Sequence, residues 1–124
     1  MFDIIKFIVL TFLQIAGDSK ALLAAVEDDN EFVDGKATGK RLGTKYTCVA
    51  MKNQGYRFVV KIPGAAPIIT QDELAASEVP VWVSFEGFQG RFYRLRGQIE
   101  YGLTCKAEKA VLVQEGGKSR EKGA

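Results

Sequence analysis

At 124 residues, 47% of them apolar and 26% charged, the chain is long enough to bury one hydrophobic core and too short for two. It has no histidine and only two cysteines, Cys48 and Cys105, which excludes Ser/His/Asp and Cys/His catalysis and leaves too few ligands for a structural zinc site. The net charge of +2 hides a segregation: Glu27 to Asp34 holds five carboxylates and no cation, whereas Gly35 to Ala66 holds Lys36, Lys40, Arg41, Lys45, Lys52, Arg57 and Lys61 and no carboxylate. A field of one sign attracts polyanions, so a nucleic-acid backbone is the first partner to consider.

Taken in order, Ile4 to Ile15 is apolar apart from Lys6, Thr11 and Gln14. About 20 apolar residues are needed to span a bilayer, and the start Met1-Phe2-Asp3 lacks the basic region of a signal peptide. The segment reads as a buried first strand, or a strand preceded by a helical turn, with a signal anchor as the alternative. Glu27 to Asp34 reads as an acidic loop. The run Asp28-Asp29-Asn30-Glu31 lacks the glycine spacing of an EF-hand, and Gly35 to Lys40 lacks the spacing of a P-loop, so no metal or nucleotide cofactor is expected.

Period-2 alternation then predicts a strand over Tyr46–Met51 and another over Tyr56–Ile62, joined by the Gly-containing turn Lys52-Asn53-Gln54-Gly55. The second strand puts Tyr56, Phe58, Val60 and Ile62 on one face and Arg57, Val59 and Lys61 on the other. Ile69 to Ser77 is a short helix, with Thr70 and Glu73 at capping-box spacing and Pro80 beyond its end. Val79 to Phe85, Arg91 to Arg96 and Ile99 to Cys105 alternate again, and a phase change at Ala107 to Ala110 predicts a bulge or bend before Val111-Leu112-Val113. The tail Gln114 to Ala124 has no apolar residue but Ala124 and is expected to be disordered.

Five or six strands with one short helix between the third and fourth fit a mostly β fold. Its predicted form is a small OB-like Greek-key barrel over residues 1–113, with a barrel of another topology as the competitor. Both cysteines sit among apolar residues on alternating strands and are expected to be buried, reduced thiols. What remains is the pairing of cations with aromatics that single-strand binders use, a basic groove for phosphates and ring faces for bases. Lys40, Arg41, Lys45, Arg57, Lys61, Arg91, Arg94 and Arg96 are the phosphate candidates, and Phe88 (at a turn tip) and Tyr93 the stacking candidates.

Several short runs add a resemblance: FVDGKATG from Phe32, GTKYTCV from Gly43, VKIPG from Val60, VSFEGF from Val83 and KAEKA from Lys106. Over about residues 30 to 113 the chain resembles the YdcP-like, helicase-processivity-factor-type small proteins of Gram-positive integrative conjugative elements and conjugative plasmids. The resemblance implies an OB-like fold and a role beside element DNA during replication or transfer. The apolar start is longer than it leads one to expect. The expected function is a cytoplasmic, non-enzymatic domain that binds single-stranded nucleic acid, DNA first, beside a helicase or relaxase, with no membrane contact and oligomerisation left open. The contrasting expectation is a protein-interaction adaptor that never touches nucleic acid.

Overall fold

The computed structural model describes residues 8–64, 66–94, 97 and 102–113. The fold is mostly β, with eight strands, two short α-helices and one 3-10 turn among the described residues. The longest feature is a hairpin of β2 (Ala21–Val33) and β3 (Lys36–Ala50), turned at Asp34-Gly35 with both residues at positive φ. An Asp-Gly pair at positive φ is the two-residue turn that matches the twist of antiparallel strands. β4 (Tyr56–Pro63) pairs with β3 after the turn Met51–Asn53.

Across this hairpin the acidic block lies against the basic one. Glu27 is opposite Lys45 and Asn30 opposite Arg41. The acidic loop expected at Glu27 to Asp34 is therefore corrected to strand through Val33. A run of carboxylates lacks the apolar alternation of a half-buried strand, but cross-strand cations and the β3 backbone hold it extended.

The apolar start is corrected as well. Among the described residues it is a two-residue strand, β1 (Val9–Leu10), followed by helix α1 (Phe12–Ala16), so the helical turn comes after the strand. Thr11 caps α1, accepting from the Gln14 amide while the Gln14 side chain accepts from the Thr11 amide. That reciprocal pair holds a helix this short in place. Residues 4–7 lie outside the described residues, as does the tail 114–124.

The predicted helix is α2 (Gln71–Ala76), with the Thr70/Glu73 capping box formed. Then come β5 (Trp82–Glu86), β6 (Gln89–Tyr93), β7 (Gly102–Lys106) and β8 (Lys109–Val113). Pairing runs in the order β1-β6-β7-β4-β3-β2-β5-β8, antiparallel except for β4 with β7. Eight strands stand where five or six were expected. The surplus has two sources: β2 stands where the acidic loop was expected, and the final strand is divided into β7 and β8 at Ala107-Glu108, the predicted bend.

The core takes the residues that alternation assigns inward: Tyr46 and Cys48 from β3, Phe58, Val60 and Ile62 from β4, Val83 and Phe85 from β5, and Cys105 from β7. Phe12 of α1 meets Phe58, Phe85 and Phe88 with ring centroids 6.0, 5.6 and 5.4 Å apart, all edge to face, a favoured geometry for aromatic pairs. The Tyr46 hydroxyl accepts the Ile68 amide at 3.0 Å, tying the segment before α2 to the core. Burial raises the pKa of that hydroxyl above its ordinary value.

Candidate nucleic-acid interface

Inward packing on β3, β4, β7 and β6 leaves their odd and even partners on a shared outer face. On β4, Phe58, Val60 and Ile62 are buried while Arg57, Val59 and Lys61 are exposed. The register then stacks like charges. Lys45 lies opposite Lys61, Lys61 opposite Lys106, and Lys106 opposite Gln89. Three lysines thus cross three neighbouring strands in one row, about 4.8 Å per strand. Like charges directly opposite one another destabilise a sheet, so this row costs the fold something that an anion lying along it would offset.

One carboxylate moderates the row: Glu27 Oε1 is 3.5 Å from Lys45 Nζ. Among the described residues Arg57, Lys61, Arg91 and Lys106 make no ion pair, and each is exposed. Beside the row runs a groove of about 520 Å³ lined by Lys45, Val59, Lys61, Tyr93, Leu103 and Thr104. Tyr93 lies opposite Gly102, and a Cβ at Gly102 would run into the Tyr93 ring. The ring therefore lies over the bare glycine backbone and remains 45% exposed.

No protein-family model, curated protein or solved structure matches this chain.

Of the sequence-predicted residues, Lys45, Lys61 and Tyr93 meet in one groove. Arg91 is opposite Thr104 on the same face, and Arg57 precedes Val59 on it. Arg94 is exposed just past β6, and Arg96 lies outside the described residues. Lys40 and Arg41 stand apart on the distal hairpin. There Arg41 Nε is 3.0 Å from Asp28 Oδ1, and its guanidinium also donates to the buried Thr44 hydroxyl. Phe88 is half-buried, its ring 5.4 Å from Phe12 and 6.3 Å from Phe85. That packing alone accounts for its place at the turn.

Lys106 and Gln89 were missed. The signal was present, since Cys105 points inward and alternation sends both Thr104 and Lys106 outward.

Both thiols are free and buried; burial pushes Cys48 up to about 12 and Cys105 up to about 11. Among the described residues no group of three or more His, Cys, Asp or Glu is placed to hold a metal ion, and no helix is long and apolar enough to cross a membrane.

Proposed function

We propose that this chain is a non-enzymatic OB-type domain that binds single-stranded nucleic acid, DNA first, along the outer face of β3, β4, β7 and β6. The observation that carries this is the in-register row Lys45–Lys61–Lys106 beside the groove holding Tyr93. Cations following a backbone, with an aromatic face for a base, are the parts of a sequence-tolerant single-strand site.

Topology supports the same conclusion. If β5 and β6 count as one bent strand, and β7 and β8 as another, their hairpin joins β4 through β7 on one side and β2 through β5 on the other. The circuit β2-β3-β4-(β7/β8)-(β6/β5)-β2 returns to its start. The capped helix lies between the third and fourth strands of that circuit, as in a five-stranded OB barrel, where the face of strands 2 and 3 takes oligonucleotides. A role beside the helicase or relaxase of a mobile element extends this proposal through the resemblance to YdcP-like proteins.

A protein-docking role is favoured by one observation, the hairpin tip, where Phe32 and Val33 are 64% and 53% exposed. Fluorescence anisotropy with a labelled single-stranded oligonucleotide at two salt concentrations tests the primary proposal. Binding that weakens steeply with salt and tolerates changes of base composition supports it. No binding at low salt overturns it in favour of docking.

A further inference from the structure

The lysine row ends in a second groove whose composition does not suit phosphate. About 520 Å³ in volume, it is lined by Pro63, Gly87, Gln89, Lys106, Ala107 and Glu108. Lys106 and Gln89 are cross-strand partners, so the groove continues the row. Pro63 and Ala107 give it apolar wall, and Gln89 and Glu108 bring uncommitted polar groups. Among the described residues neither the Glu108 carboxylate nor the Gln89 amide has a side-chain partner.

The backbone of Glu108 is held in position, and its side chain is exposed. Its amide donates to the Glu86 carbonyl at 2.9 Å where β7 gives way to β8. Its side chain lies against Gly87, whose φ is +67°, and a Cβ there would come within 2.7 Å of the Glu108 Cγ and Cδ. A carboxylate at the end of a phosphate path repels phosphate, but it accepts N–H groups from a base.

We propose that this groove is a guanine-selecting subsite, in which Glu108 accepts both donors of the base's pairing edge. A carboxylate offers acceptors only, and it is recognised best by two parallel N–H groups. Guanine alone presents two adjacent donors on that edge, N1–H and the 2-amino group. Adenine and cytosine set a ring-nitrogen acceptor beside their amino group, and thymine and uracil flank one N–H with two carbonyls. Pro63, which is exposed, provides surface for the purine ring, and Lys106 holds the adjoining phosphate. The proposal rests on the nucleic-acid face described above, and its test separates the two.

The test is anisotropy with the full chain and an oligothymidine carrying one central thymine replaced in turn by guanine, inosine, adenine or cytosine. A single guanine avoids self-association of the probe. Guanine is expected to tighten binding about tenfold over thymine. Inosine, which lacks the 2-amino group, should lose most of that gain, and Glu108→Gln should erase the difference between guanine and thymine. Equal affinity for all the oligonucleotides overturns the guanine subsite while leaving the general interface standing. Absence of binding to any of them overturns both, and a guanine preference that survives Glu108→Gln removes Glu108 from the subsite.

Discussion

Arg41 reaches across the long hairpin to Asp28, with Nε 3.0 Å from Oδ1, and one step along the sheet Lys45 approaches Glu27 at 3.5 Å. The acidic and basic blocks, adjacent in sequence, are folded against each other by the Asp34-Gly35 turn. Two of the basic block's seven cations, Arg41 and Lys45, are therefore paired with carboxylates within one hairpin. Among the described residues Arg57, Lys61, Arg91 and Lys106, on the outer face of β4, β6 and β7, make no such ion pair.

This difference separates two sets of mutants. Lys61→Ala with Lys106→Ala is expected to weaken oligonucleotide binding and to lower the salt slope by about 1.4, at about 0.7 per phosphate contact on a single strand. Arg41→Ala should leave that slope nearly unchanged and cost about 1–3 kcal/mol of stability, mostly from removing the donor to the buried Thr44 hydroxyl, since its ion pair with Asp28 is half exposed and screened. Salt titrations of both variants decide the matter. A larger slope change from Arg41→Ala would move the interface onto the distal hairpin.

Tyr93 and Gly102 form a cross-strand pair in which the glycine makes room for the ring. Tyr93→Ala is expected to cost about 1–3 kcal/mol of single-strand binding if a base stacks on the open face. Gly102→Ala should reproduce part of that loss by displacing the ring, with Tyr93 retained. Equal binding by wild type and both variants would leave the groove to the lysines alone.

Phe88 makes a contrasting pair with Phe12, 5.4 Å between centroids. Removing its ring empties one end of the aromatic cluster, so Phe88→Ala should destabilise the fold by about 3 kcal/mol. A thermal melt and a titration of the folded variant separate this from stacking. Normal stability with lost binding would return Phe88 to the interface.

What was legible in the sequence was whatever local chemistry decides. The Thr70/Glu73 box marks the start of α2, and the alternation of Phe58, Val60 and Ile62 sets the inner face of β4. The strand nature of Glu27 to Val33 was not legible from alternation, because its partner is β3 and its carboxylates mask the period. The Asp34-Gly35 dipeptide was the available hairpin signal. Continuous apolarity through Ile15 cannot separate strand from helix, and there the Thr11/Gln14 box was the sharper clue. The lysine row depends on register between β3, β4 and β7, and one of those pairings joins strands far apart in sequence. No local pattern contains it.

The two thiols supply a pH test of the core. Folding raises the pKa of Cys48 from 9.0 to about 12 and of Cys105 to about 11, chiefly because burial disfavours the thiolate, with Cys105 adding to the shift of Cys48. A group whose folded pKa is raised contributes its full stability below the unfolded value and loses it as pH climbs through the folded value. Stability should therefore be insensitive to the thiols below about pH 9 and fall progressively between about pH 9 and about 12. Cys48→Ala with Cys105→Ala should flatten that part of the profile, although lost packing lowers the whole curve. In the native protein at pH 8 a thiol reagent should react slowly at both positions and quickly once denaturant is added. Rapid labelling of the folded chain at pH 8, or an alkaline profile unchanged in the double variant, would show that the thiols are not buried as described.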